Sequence, residues 1–372
     1  MPRARVSYGI LTSQDQGGGG SKQGLVSSVG RSGVIFRIIS RKSFHTEKKD
    51  EENTDDYIHF VAVADGGFTN KRVMTSPDGI TWASRASSSN NQWRSVTYGT
   101  VGGNGLFVAV AVDGANQVMT SPDGINWTSP AIAPPANSWQ SVTYGTVGGN
   151  SLFVAVADAG ANRVITSPDG INWTPRVASQ ANSWNSVTYG TVGGNGLFVA
   201  VALDGANQVM TSTDGINWIS PAIAPPANSW ESVTYGTVGG NGLFVAVADA
   251  GANQVMTSPD GSNWTPRVAS QANSWISVTY GTVGSNGHFV AVAYSGTNRV
   301  MTSPDGQNWT SPAIEPPANS WQSVTYGTVG GNGLFVAVSN DGANKVMTSP
   351  DGSNWTPRVA SNNSWISVTY RP

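Results

Sequence analysis

From Phe60 onward, apolar and polar positions follow one pattern that returns every 45 or 46 residues. Over residues 139–175 it opens with Trp139-Gln-Ser-Val-Thr-Tyr144, which alternates and is rich in strand formers. The glycine-rich stretch 145–151 breaks the alternation. Leu152-Phe-Val-Ala-Val-Ala157 then runs unbroken, as a strand buried on both faces does. Residues 158–162 form a polar turn, Arg163-Val-Ile-Thr-Ser167 a third strand, Pro168-Asp-Gly170 a tight turn and Ile171-Asn-Trp-Thr174 a fourth strand. Each unit is therefore predicted to be four short antiparallel strands joined by hairpins.

The unit recurs seven times. Ser/Thr-x-Asp-Gly-x-x-Trp places its aspartate at Asp78, Asp123, Asp169, Asp214, Asp260, Asp305 and Asp351. Trp-x-Ser-Val-Thr-Tyr begins at Trp93, Trp139, Trp184, Trp230, Trp275, Trp321 and Trp365. A period of this length with strand content points to a solenoid or a propeller. The hairpin turns decide for the propeller, because coils of parallel strands do not use them. The predicted fold is all-β: a seven-bladed β-propeller of four-stranded antiparallel blades over residues 57–372. The first unit starts at Phe60-Val-Ala-Val-Ala64 without a first strand, and Trp365-Ile-Ser-Val-Thr-Tyr370 is a first strand without a unit. Pairing the two closes the ring and leaves no open edge. The segments Thr128-Ser-Pro and Thr174-Pro-Arg alternate from unit to unit, giving a period of 91 residues that points to duplication in pairs.

Composition narrows the partners. Residues 57–372 hold 11 Lys/Arg against 15 Asp/Glu, so no nucleic-acid partner is expected. The absence of cysteine removes disulfides and Cys-ligated metals. No apolar run reaches the roughly 18 residues of a membrane span. No metal or other cofactor is implied, and a monomer is expected. Residues 1–56 stand outside the repeat. Their first 46 residues carry several arginines and Asp15 as the single acid, as an organelle leader would, although a disordered tail is the plainer expectation. The compartment stays open between the cell surface and an organelle.

Ser121-Pro-Asp-Gly-Ile-Asn-Trp127 and its six partners resemble the Asp-box, or BNR, repeat of sialidase-type propellers, Ser/Thr-x-Asp-x-Gly-x-x-Trp, with one residue fewer between Asp and Gly. The resemblance extends over residues 57–372. It implies that the seven aspartates are structural, that each box tryptophan packs between strands, and that ligands are met on the opposite face. The residue chemistry agrees, since Asp and Gly suit a tight turn closed by a side-chain-to-backbone bond. A sialidase would also need three arginines, a tyrosine–glutamate pair and an acidic aspartate. Here Arg176, Arg267 and Arg358 occupy one repeated position, Glu231 and Glu315 are the only glutamates after residue 56, and nearly all the tyrosines belong to the repeated Val-Thr-Tyr. No catalytic residue is assigned and no enzyme is expected; a glycosidase is the remote alternative. His288, which replaces a repeated leucine, reads as a tolerated rim change.

Hairpin direction puts the Asp-Gly turns on one face. The turns between strands two and three lie on the other, with the links between blades, and recognition is expected there. The candidate loop residues are Asp113, Asn116, Asp204, Asn207, Asn253, Asp341 and Asn344. Arg94, Gln140 and Glu231 join them from a position of strand one that changes between copies: Arg94, Gln140, Asn185, Glu231, Ile276, Gln322, Ile366. Strand one lines the channel of a propeller, so these residues are candidates for a ring at its mouth. Repeated loops point to multivalent, non-catalytic binding of a glycan or a protein. The loop Asp/Asn residues, with the tryptophans from Trp93 to Trp365, would serve a lectin. The channel ring and the Pro-rich links would serve a protein platform. For those tryptophans, filling the inter-blade core is the plainer reading.

Overall fold

The structure is a computed structural model that describes residues 57–372; the expectations for residues 1–56 lie outside the described residues. Seven antiparallel sheets follow one another along the chain. Blade 1 pairs Ser364–Tyr370 with Phe60–Gly66, followed by Val73–Ser76 and Ala83–Arg85. Blades 2 to 7 start with the inner strands Trp93–Val101, Trp139–Val147, Trp184–Val192, Trp230–Val238, Trp275–Val283 and Trp321–Val329. Each inner strand lies beside that of the next blade, and Ser364–Tyr370 lies between the strands of blades 7 and 2, closing the ring.

The inner strands run three residues further than the alternation indicates, through Gly145-Thr-Val147 in blade 3. The turn shrinks to Gly148-Gly149, both with positive φ (55° and 82°), which is the two-residue hairpin loop whose twist matches its strands. Gly145 is a strand residue paired with Leu152, and it is glycine because a Cβ there would overlap the Tyr189 ring of the next blade.

The second strands are buried along their apolar run after its first residue, Leu152 in blade 3, which is half-buried: Phe153, Val154, Ala155, Val156 and Ala157 are all 0% exposed. Their two faces serve different neighbours. Val154, Val156 and Val164 of blade 3 pack against Trp184, Phe198, Ala200 and Met210 of blade 4, and this arrangement recurs around the ring. The core therefore lies between blades. Its largest members are the inner-strand tryptophans, all fully buried, each donating its indole N–H to the carbonyl four residues earlier, as Trp230 does to Pro226 at 2.9 Å. They are closed to a sugar ring, and the packing reading holds over the stacking one.

A second device ties neighbouring blades. The inner-strand serine of each blade accepts the valine N–H of the next: Val142 N–H to Ser95 Oγ at 3.1 Å, Val187 to Ser141, Val233 to Ser186, Val278 to Ser232, Val324 to Ser277 and Val368 to Ser323. Val96 N–H to Ser367 Oγ, at 3.2 Å, completes the circle across the seam. The seam also has its own ladder, from Phe60↔Tyr370 to Val63↔Ser367.

The fourth strand departs from expectation. It starts at Thr174 and runs to Arg176, so Ile171-Asn-Trp173 belongs to the turn. Asp169 Oδ1 accepts the N–H of both Ile171 and Asn172, which holds them out of the ladder. In blades 2, 4 and 6 the fourth strand contracts further, to the single bridges Thr120↔Thr128, Thr211↔Ile219 and Thr302↔Thr310. Proline position explains the alternation. Thr120 and Thr128 exchange both backbone hydrogen bonds, so the next bonded pair would need an N–H from residue 130, which is proline. In Thr174-Pro-Arg176 the proline falls one residue earlier, where no ladder donor is required, and Arg176 continues the strand.

Candidate functional site

The Asp-Gly turns carry dense local bonding. Asp123 Oδ1 accepts the N–H groups of Ile125 and Asn126, both at 2.8 Å, and the Ser121 hydroxyl; its Oδ2 accepts the Asn126 amide. Trp127 donates its indole N–H to Gly124 O at 2.8 Å. Gly124 has φ 76°, and a Cβ there would press on Val61 and Phe107, so the Asp-Gly pair is sterically required. Desolvation pushes the Asp123 carboxyl up, but the backbone and side chain of Asn126, the Ile125 N–H and the Ser121 hydroxyl together hold it at about 2. The same bonding recurs at Asp78, Asp169, Asp214, Asp260, Asp305 and Asp351. On this face His288 stands where five other copies have leucine; its half-buried ring leaves Nε2 without a partner.

On the opposite face the predicted loop residues are mostly occupied in holding the chain. Asp113 accepts the N–H and the side-chain amide of Gln92, at 2.8 and 2.7 Å. Asp204 holds Ser183 in the same way, and Asp341 holds Ser320. Asn116 and Asn207 donate to the carbonyls of Pro130 and Pro221, at 2.8 and 2.9 Å. Asn253 and Asn344 contribute their carbonyls, which accept the side-chain amides of Asn228 and Asn319. These loops pin each link to the blade beneath it.

The strand-one position that varies between copies lies at the channel mouth in all seven blades. Its residue sits at a β-bulge: Trp139 pairs with Ala157 and Ser141 with Val156, so Gln140 is the extra residue that opposes nothing. The same register shift occurs in every blade. Freed from the ladder, all seven bulge residues line one cavity of about 450 Å³. A smaller pocket of about 270 Å³ shares Arg94, Gln140, Asn185 and Glu231 with it.

The mouth has two unlike arcs. Blades 2 to 5 supply Arg94, Gln140, Asn185 and Glu231, which are linked in two pairs. Arg94 Nε–H donates to Gln140 Oε1 at 3.1 Å, Gln140 donates to Asp158 Oδ2 at 2.9 Å, and Asn185 donates to Glu231 Oε2 at 2.8 Å. Blades 6, 7 and 1 supply Ile276, Gln322 and Ile366. Desolvation, with the nearby Asp249 charge adding to it, pushes the Glu231 carboxyl up to about 7 against the pull of Arg94 and the Asn185 hydrogen bond.

Sequence reasoning missed a second ring, formed by the residue after the buried Phe-Val-Ala-Val-Ala/Ser run of each second strand: Asp65, Val112, Asp158, Leu203, Asp249, Tyr294 and Asn340. All seven line the mouth or its side pocket. The signal was available. This position and the bulge position each hold five residue types in seven copies, while the Trp, Ser, Val, Thr and Tyr beside the bulge never change.

No family model matches the chain and no curated protein matches it. Several solved structures are similar. YCF48 from Cyanidioschyzon merolae is 15% identical with a TM-score of 0.49, over 79% of this chain and 95% of that one. The dihydro-haem d1 dehydrogenase NirN in complex with DHE is 11% identical with a TM-score of 0.49, over 84% and 75%. BBS1N in complex with ARL6DN is 9% identical with a TM-score of 0.48, over 76% and 82%. Among the described residues no helix is long and apolar enough to cross a membrane.

Proposed function

We propose that the chain is a non-catalytic recognition propeller of the Asp-box type, and that its binding site is the channel mouth on the face opposite the Asp-Gly turns. One observation carries this reading: the two most varied positions of an otherwise uniform repeat converge on one cavity. Copies of a packing unit drift where packing tolerates it, over both faces and the rim. Variation gathered around one concave polar site, with side chains bonded to one another across blades, suits a single asymmetric ligand.

The reading differs from multivalent glycan binding. The Asp113, Asp204 and Asp341 carboxylates are taken up by backbone and side-chain donors, and the inner-strand tryptophans are buried. A lectin site on the rim would have to break those bonds to bind sugar hydroxyls.

A uniform-mouth variant tests the site: Arg94→Gln, Asn185→Gln, Glu231→Gln, Ile276→Gln and Ile366→Gln. Gln140 and Gln322 already occupy this position, so the fold tolerates the residue. Wild type and variant are screened side by side by thermal shift against amines, carboxylates, sugars and short peptides. Compounds that stabilise wild type are expected to leave the variant unmoved. Equal stabilisation of both proteins would remove the mouth as the site.

A further inference from the structure

We propose that the mouth takes an organic cation, an ammonium or guanidinium on an apolar stem, with the charge between Glu231 and Asp249 and the stem against Ile276 and Tyr294. The inference rests on the mouth being the recognition site and names what it would recognise.

Three independent features point to this class. The first is juxtaposition. Glu231 and Asp249 belong to blade 5, and Ile276 and Tyr294 are the corresponding pair in blade 6. Two carboxylates, an isoleucine and a tyrosine ring therefore line one cavity of about 450 Å³ on either side of one blade boundary. The second is unmet bonding. Asp249 Oδ1 is shut off from solvent and accepts no hydrogen bond in the structure, and Asp158 Oδ1, further round the mouth, is in the same condition. A buried carboxylate oxygen without a donor is costly, and turning the carboxylate toward an N–H-rich cation in the cavity would relieve that cost. The third is charge balance. Asp65, Asp158, Glu231 and Asp249 line the mouth and its side pocket against Arg94 as the single cationic lining residue, whose Nε is already engaged by Gln140. The Asp249 charge disfavours ionisation of Glu231, and a cation between them relieves that repulsion.

A guanidinium or ammonium reaches such a site on a free small molecule or on the side chain of a protein. Titration calorimetry at low ionic strength, where mouth charges are least screened, separates the sources. The probes are agmatine, the capped peptide Gly-Arg-Gly-Gly and, as an anion of similar length, glutarate. Agmatine or the peptide is expected to bind one to one with a Kd in the millimolar range or below. Tighter agmatine binding marks a small-molecule ligand, and tighter peptide binding marks a basic side chain. Glu231→Gln and Asp249→Asn should each weaken the cation about tenfold. Both residues occur at these positions in other blades, so both variants should stay folded and melt no lower than wild type. Arg94→Gln should not weaken it. The cation assignment falls if neither cation binds at about 10 mM, or if the two acid substitutions leave the affinity unchanged. Glutarate binding that disappears in the uniform-mouth variant would overturn the cation class while keeping the mouth as the site. A cation bound equally well by that variant would overturn both.

Discussion

The Asp-Gly turns and the channel mouth are built from the same seven units and have opposite characters. At the turns the copies repeat one solution almost atom for atom: a carboxylate bonded to two backbone N–H groups, a glycine with positive φ in tight contact with its neighbours, and an indole bonded to its carbonyl. At the mouth no two adjacent blades present the same pair of side chains. The difference follows from what each position touches. A turn aspartate is bound by its own loop, so any blade that loses it loses bonds that hold the turn. A bulge residue opposes nothing in its sheet, so it is free to vary and free to meet a ligand. Uniformity marks what holds the ring together, and variety marks where it meets something else.

The comparison breaks most severely at the seam. Removing residues 365–372 takes away the strand that completes blade 1, with Trp365, Ile366 and Val368 buried in it, and reopens the serine ring at Val96. The expected loss exceeds the roughly 3–5 kcal/mol of one buried tryptophan truncation and abolishes a cooperative melt. A wild-type melting temperature would show that the ring does not depend on its closure.

Next come paired truncations in the uniform region. Trp139→Ala and Trp230→Ala should each cost about 3–5 kcal/mol, and nearly the same amount, because their surroundings are copies. Chemical denaturation checks both; a large difference between them would mean that the blades are not energetically equivalent.

At the mouth the sign reverses. Glu231 is held at about 7 against an unfolded value of 4.5, so its protonated form favours folding. That contribution is full below pH 4.5 and is lost as pH rises through about 7. Glu231→Gln should therefore stabilise the propeller above pH 7, by about 3 kcal/mol. Melting temperatures from pH 4 to pH 8 check it, and identical curves for the two proteins would contradict the assigned burial. The smallest effect belongs to one turn. Asp123→Ala leaves two N–H groups to water and should cost about 1 kcal/mol. Because Asp123 is held at about 2 against 3.8 unfolded, its contribution is full above pH 3.8 and lost as pH falls through about 2. Wild type and Asp123→Ala should converge in acid; a gap that persists at pH 2 would assign the aspartate a role other than its charge.

Most of the fold was legible because packing is what the repeat encodes. The apolar run Leu152–Ala157, the Trp-x-Ser-Val-Thr-Tyr segments and the unmatched ends gave the blade, the count and the closure. The fourth strand was misplaced because Asn172 and Trp173 look like strand residues, and only the Asp169 hydrogen bonds show that they are turn. Pro130 was visible, but its effect depends on which residue of the ladder must donate. At the site, the bulge position stood out by its variation. Its partner position was read as turn, since Asp158 and Asp249 sit among turn formers. The loop residues Asp113 and Asn116 have the chemistry of a sugar site. That they bind Gln92 and Pro130 instead is set by how the link folds back over the blade, which spacing does not reveal.

The most direct test is a count. Native mass spectrometry of the propeller with the most strongly stabilising compound from the screen reads how many ligands one ring holds. One per ring is expected, with none retained by the uniform-mouth variant. Three, six or seven per ring, still bound by that variant, would place recognition on the repeated rim and contradict the asymmetric mouth.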